Sequence, residues 1–349
     1  MKILVYGVGV IGSICAMRLS EAGHEATVLA RGRRLEELRG DGLRLVEYKT
    51  GKATSLKLPV VDSLGEDDAY DLVLVVMQRQ QAIEALPALA RNRAVSTFLF
   101  VGNCAGGSRE YVEALGRDRV LLGFVLSGGY FDGGVVRYGV REGGVITTLV
   151  GTPDAVETPR LREVADVLKA SFGGVEVSPS IDGWLFTHAS TIVPMACALY
   201  AVGEDPLRLS RTRDVVVIAL RAVKELIAAQ TRLGLPVLPA SLRSMARTPE
   251  PLIVPRLARM FENPDYAFEM RHAFTARSEM TYLAGELREA ARRAGVSTPN
   301  FDRITSWLDG SKSPLPDGSR DVGLDWRGVY VAALGAAVIL ILLLSWFLR

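Results

Sequence analysis

The chain is poor in the residues that build metal and disulfide sites: its 349 residues include only three cysteines and three histidines. Cys15, Cys104 and Cys197 lie far apart and form no CxxC pair, so neither a zinc site nor a thioredoxin-like site is expected. Reduced thiols and no bound metal are the plain reading. Net charge is also scarce. The 41 basic residues nearly balance the 39 acidic ones, leaving +2, which gives no argument for nucleic acid as a partner. The amino-terminal apolar run Ile3–Tyr6 is too short for the core of a signal peptide and reads instead as a buried strand. No internal repeat is visible. A composition with 49% hydrophobic and 23% charged residues is globular, and the length suits two domains.

Strand and helix signals alternate through the first half. Residues 2–6 and 26–30 read as short buried strands, with a helix from Ile11 to Ala22 between them. Further strands are expected at 71–76, 96–101, 120–125 and 145–150, with helices at 80–91 and 158–172. This alternation predicts an α/β domain, a Rossmann-type doubly wound parallel sheet, over residues 1–178. Beyond residue 180 the strand signals fade. Helices are expected over 184–201, 213–233, 251–261 and 266–294, so residues 179–309 read as an all-helical second domain. A domain of this kind is suited to pair two copies, and a homodimer is among the expected partners.

Residues 310–327 are rich in Gly, Ser, Pro and Asp and read as a linker. Val329 to Leu348 carry no charge, and twenty helical residues span a bilayer core of roughly 30 Å. Tryptophan and arginine flank the run at both ends. A transmembrane tail over 328–348 is therefore expected, with the domains before it facing the cytoplasm.

The strongest local motif is Gly7-Val8-Gly9-Val10-Ile11-Gly12, a GxGxxG that follows a strand and opens a helix. Gly7 allows the tight turn, Gly9 lets the backbone approach a pyrophosphate, and Gly12 lets helix and strand pack closely. The helix N-terminus offers N–H groups and a positive dipole end to phosphates. After the second strand comes Ala30-Arg31-Gly32-Arg33-Arg34, where an acidic residue would favour NAD. Guanidinium groups there suit a ribose 2′-phosphate, so NADP(H) is the expected cofactor. Arg31 is the first candidate for the contact and Arg34 the second.

From residue 1 to about 309 the sequence resembles the ketopantoate reductases (2-dehydropantoate 2-reductases). The pieces that carry the likeness are separate: the opening through Arg31, Gly102-Asn103-Cys104-Ala105-Gly106, Ile181-Asp182-Gly183-Trp184, and Arg277-Ser278-Glu279-Met280 through Asn300. The resemblance implies that Asn103 lies beside the nicotinamide and substrate, and that Glu279 is the family's functional glutamate. The chain departs from the family where a lysine should follow the tryptophan, having instead Leu185-Phe186-Thr187-His188-Ala189-Ser190. The family's second lysine falls at Gln78, beside Arg79, and its substrate-binding serine falls near Ala267. The chain therefore reads as a divergent member.

Hydride transfer to a carbonyl needs an oriented cofactor, a polarised oxygen and a proton donor. His188, in the helix where the lysine would lie, is the expected donor, because histidine titrates near neutrality. Glu279 and Asn103 complete the expected catalytic set. Arg79, at the carboxyl edge of a buried strand, is a candidate for a substrate carboxylate. Ser190 and His272 are further candidates for substrate contact. His272 lies seven residues before Glu279, about two turns if the helix is continuous. Three functions stay open: NADPH-dependent reduction of a 2-oxo acid or related carbonyl, a non-catalytic membrane-tethered NADP(H)-binding sensor or scaffold, and a related oxidoreductase acting on an imine or alcohol.

Overall fold

The buried run Lys2–Tyr6 (β1) lies in the middle of an eight-stranded sheet and pairs in parallel with a strand on each side. The computed structural model describes residues 1–324 apart from 141 and 321, together with residues 330, 334, 335, 337, 338 and 341. After β1 come α1 (Val10–Glu21), β2 (Glu25–Leu29), α2 (Gly32–Gly40), β3 (Leu43–Glu47), β4 (Ala53–Leu56), β5 (Val60–Val61) and β6 (Leu72–Val76). Next are α3 (Arg79–Arg91), β7 (Phe98–Val101), α4 (Arg109–Leu115), β8 (Val120–Val125), β9 (Gly129–Asp132), β10 (Val135–Tyr138), β11 (Ile146–Gly151), α5 (Pro159–Phe172) and β12 (Gly173–Val177).

The large sheet runs β12-β11-β8-β7-β6-β1-β2-β5. From β5 to β8 every pair is parallel, and the order reverses at β1 and β6, the Rossmann arrangement. β6 and β7 are buried along their whole length, as strands covered by helices on both faces must be. The sheet is not wholly parallel as expected, because β11 runs antiparallel to β8. A second sheet, β4-β3-β10-β9, was not foreseen. Its strands are four or five residues long and half-exposed. Its central pairing joins β3 to β10, about ninety residues away, which no local pattern reports.

The remaining chain is helical: α6 (Ile181–Ala201), α7 (Pro206–Arg211), α8 (Arg213–Arg232), α9 (Ala240–Arg247), α10 (Glu250–Met260), α11 (Pro264–Met270), α12 (Arg277–Arg293) and α13 (Pro299–Thr305). α6 is buried on nearly every side and packs with α8, α12 and α13 around one core. The single helix expected over 266–294 is broken. α11 ends at Met270, a 3₁₀ turn covers Arg271–Thr275, and α12 starts afresh. Tertiary ties fix the break: Arg277 donates to the Trp307 carbonyl at 2.6 Å and to Glu204 at 3.0 Å.

Residues read as a linker make specific contacts here. The Leu315 N–H donates to the Ala201 carbonyl, Arg208 donates to the Leu315 carbonyl, and Arg211 pairs with Asp317. The expected membrane anchor is not borne out. A span needs about twenty consecutive apolar helical residues, and among the described residues no helix is long and apolar enough to cross a membrane. Most of the expected tail, 328–348, lies outside the described residues. The membrane-anchored location, read from that tail, is not borne out by the described residues.

Candidate active site

Three loops meet at the carboxyl edge of the large sheet, after β1, β6 and β7. In the first, Gly7 adopts φ +104, and a Cβ there would lie 2.3 Å from the Val76 carbonyl oxygen. A Cβ on Gly12 would lie 1.9 Å from the Gly7 carbonyl oxygen, so α1 sits directly on the turn. Gly9 differs from both. It precedes the first turn of α1, and no atom lies within 4 Å of where its Cβ would be. The turn from Gly7 through Val8, Gly9, Val10, Ile11 and Gly12 is therefore tight against protein at two glycines and open at the middle one. That open glycine beside the helix N-terminus fits a dinucleotide pyrophosphate.

The two expected phosphate-reading arginines flank this loop. Arg31 precedes α2, is exposed, and donates to the Tyr6 hydroxyl at 2.8 Å and the Asp62 carbonyl at 3.3 Å. Arg34 lies across the turn itself. It donates to the Val8 carbonyl at 3.1 Å and the Ser13 hydroxyl at 3.2 Å, and its guanidinium stands over the Phe131 ring. Glu37 pairs with both Arg33 and Arg34, and its carboxyl is held below the usual range by those two guanidinium groups.

In the loop after β7, Gly102 lies so close to the loop after β6 that a Cβ would meet the Met77 carbonyl oxygen at 2.9 Å. Asn103 follows. Its Nδ2 donates to Glu279 Oε1 at 3.1 Å, and its Oδ1 is buried without a partner. Glu279, in the first turn of α12, is buried, and burial raises its pKa above the ordinary carboxylate value against the lowering effect of the Asn103 bond. The structure thus brings Asn103 and Glu279 together across the two halves of the chain. The unpaired Oδ1 is an acceptor still lacking a donor, which suits a carboxamide N–H or a substrate hydroxyl.

Arg79 is not available to a substrate. It starts α3 with its side chain fully buried, donating to Glu286 Oε1 at 2.9 Å and to the Gly107 carbonyl at 3.2 Å, and pairing closely with Glu110. A guanidinium buried this way must be paired, and the partners of its Nε and Nη2 are protein groups, while Nη1 is buried without one. Gln78, just before α3, accepts a bond from Gln80.

His188 lies on α6 between the rings of Phe124, with centroids 4.4 Å apart, and Trp184, stacked at 5.1 Å. Burial, with a further push from His272, lowers its pKa to about 3. The expectation of a histidine charged near neutrality is therefore corrected: the imidazole is neutral. His272 sits in the 3₁₀ turn with Nδ1 at 2.6 Å from the Glu269 carbonyl, and burial lowers its pKa too. The break before α12 removes the shared helical face expected for His272 and Glu279, but His272 instead comes close enough to His188 to act on it electrostatically. Ser190 is completely buried in α6, with its hydroxyl unpaired. It stands two residues from His188, so the two side chains leave the helix in different directions.

Sequence reasoning missed two carboxylates. Glu286 accepts the backbone N–H groups of Ala105 and Gly106 at 3.0 and 2.9 Å. Asp182 accepts the Ser108 hydroxyl at 2.7 Å, tying the same loop to the start of α6. Each bond spans more than seventy residues, and no local pattern signals it. Cys104 is buried, its thiol pushed up to about 12, so it carries no thiolate.

A Rossmann sheet with a glycine turn at its switch point, joined to a helical unit that supplies a buried carboxyl, defines a dinucleotide-binding type of fold. The family model "Ketopantoate reductase PanE/ApbA" matches residues 3–147. A 2-dehydropantoate 2-reductase from Aquifex aeolicus is 23% identical over 317 residues, covering 88% of this chain and 96% of that protein. The solved 2-dehydropantoate 2-reductase from Methylococcus capsulatus superposes with a TM-score of 0.69 at 19% identity, covering 90% of this chain and 99% of the other. A D-mandelate dehydrogenase solved with NADH and anilino(oxo)acetate gives 0.70 at 17% identity, covering 89% and 98%. Over residues 3–147 the chain is thus similar to the ketopantoate reductases, and the fold likeness extends over nearly nine-tenths of it.

Proposed function

We propose that this chain is an NADPH-dependent oxidoreductase that reduces a 2-oxo acid, or a related carbonyl, to the corresponding alcohol. The observation that carries this reading is the Asn103–Glu279 pair at the carboxyl edge of the sheet, beside the open glycine turn. Residues 1–178 would form the cofactor-binding domain and residues 179–309 the domain that completes the substrate site. Bound at the turn Gly7–Gly12, NADPH supplies the hydride. Arg31 and Arg34 hold the ribose phosphate end.

The protein's own task is to orient the carbonyl and deliver a proton. Glu279 is the proton donor in this reading, because burial favours its neutral, protonated form. Asn103 directs it: one amide N–H fixes the carboxyl, and Oδ1 is left for cofactor or substrate. Neutral His188 offers a ring N–H as a hydrogen-bond donor instead of a proton. The family lysine is absent, so no ammonium stands near the carbonyl from that helix position, and the substrate is assigned only as a class.

The test is NADPH oxidation with a panel of 2-oxo acids. Turnover that is lost in Glu279→Gln supports the reading. Tight NADPH binding without turnover on any carbonyl would favour the second reading, a non-catalytic NADP(H)-binding sensor, for which the missing lysine and the sequestered Arg79 speak.

A further inference from the structure

One carboxylate outside the expected site makes more loop contacts than any residue in it. Glu286 lies on α12 seven residues after Glu279, two turns along, so both project from one face of the helix. Its Oε2 accepts the N–H groups of Ala105 and Gly106 at 3.0 and 2.9 Å. Its Oε1 takes the Nε of fully buried Arg79 at 2.9 Å. The loop from Asn103 to Gly106 is thereby laid along α12 at two points, Asn103 on Glu279 and the next two amides on Glu286. Gly106 permits the approach, since a Cβ there would lie 2.5 Å from Glu286 Oε1.

We propose that Glu286 is a positioning residue: it locks the loop after β7 onto α12 and so holds the Asn103 amide against the Glu279 carboxyl. It touches neither cofactor nor substrate and acts through Asn103. Its role in turnover rests on the reductase reading above, whereas its role in seating the loop does not.

The physical case is a matter of register. Asn103 follows Gly102, whose φ of +159 is open to glycine, and the Asn103 side chain has a single protein bond, that to Glu279. A single amide–carboxyl bond does not fix a loop against thermal motion, whereas two more charge-assisted bonds from the next amides to Glu286, itself held by Arg79, do. Arg79 aims Glu286, and through the Gly107 carbonyl it holds the same loop further on. A misplacement of the donor by about 1 Å can cost about a hundredfold in rate, so the anchor matters even though it lies two turns away.

Removing Glu286 alone strands a buried guanidinium and could unfold the chain, so the decisive variant is the double substitution Arg79→Met/Glu286→Leu. Replacing a buried ion pair by apolar side chains of similar size is often neutral or stabilising, but it leaves the Ala105 and Gly106 amides without an acceptor. Gly106→Ala is a second, independent variant that forces the carboxylate off the loop. Hydrogen exchange at the amides of Ala105, Gly106 and the Asn103 side chain is measured alongside kcat, KM and NADPH affinity. The expected result is native-like thermal stability in the double variant, faster exchange at all three positions, kcat reduced about a hundredfold, and NADPH affinity changed less than about twofold. Recovery of kcat together with stability, or unchanged exchange at the Asn103 amide, would overturn the proposal. If the wild-type chain reduces no 2-oxo acid, the reductase reading falls, and the exchange data still decide whether Glu286 seats the loop.

Discussion

Asn103 and Glu279 are 176 residues apart in the chain and 3.1 Å apart in space. The first hangs from the carboxyl end of β7 in the Rossmann sheet, and the second starts the long helix α12. Their bond joins the Rossmann half of the chain to the helical half. It lies at the seam between them, at the sheet edge where ligands bind in such folds.

The histidine on α6 is expected to make stability depend on acid. His188 has a folded pKa near 3, below its ordinary 6.5, so the unfolded chain takes up a proton first as pH falls. Its contribution is fully present above pH 6.5 and is lost progressively as pH falls from there toward 3, by about 1.4 kcal/mol for each pH unit at most. His188→Phe, which keeps the aromatic packing between Phe124 and Trp184, should flatten this part of the curve. Thermal unfolding of wild type and variant from pH 7 to pH 4 measures the difference. Parallel curves would show that the imidazole is not held neutral.

Cofactor choice is expected to rest on Arg31. Arg31→Glu should weaken NADPH by about 10- to 100-fold, the size of a lost charge-assisted hydrogen bond, with little effect on NADH. Arg31 is exposed and bonds the hydroxyl of buried Tyr6 from outside the core, so the fold should survive. Calorimetric titration with both nucleotides decides it. Equal losses for the two would mean that Arg31 does not read the 2′-phosphate.

The glycine turn separates binding from folding. Gly9→Ala meets no protein atom within 4 Å and should cost less than about 1 kcal/mol of stability, while NADPH binding drops sharply because the methyl group enters the phosphate space. Gly12→Ala places a methyl 1.9 Å from a carbonyl oxygen and should destabilise the whole first domain. Tm and NADPH titration on each variant test the contrast. A Gly9→Ala chain that binds NADPH normally would place the pyrophosphate elsewhere.

Much of this was legible before any coordinates. The strands β1, β2, β6, β7 and β8 and the helices α1 and α3 announced themselves by short apolar runs and helical spacing, and the GxGxxG marked the switch point. The short sheet β4-β3-β10-β9 was not legible, because its few buried positions, such as Leu43, Leu45 and Val136, gain meaning only when distant strands meet. The helix read over 266–294 broke because Arg277 is held by Trp307 and Glu204, contacts that propensity cannot foresee. Asn103 and Glu279 were found through family likeness. Arg79 was misjudged because an arginine after a buried strand looks the same whether it faces a ligand or two glutamates, and His188 because ordinary histidine chemistry ignores the rings around it.

The account turns on Glu279 as a buried acid that gives up a proton, and the pH dependence of kcat for NADPH oxidation tests this most directly. With a 2-oxo acid that wild type reduces, kcat should fall as pH rises through a pKa above the ordinary carboxylate value, as the donor loses its proton. In Glu279→Gln that limb should vanish, and the remaining rate should be about 10²- to 10⁴-fold lower. A Glu279→Gln enzyme with wild-type kcat and the same alkaline limb would contradict the account.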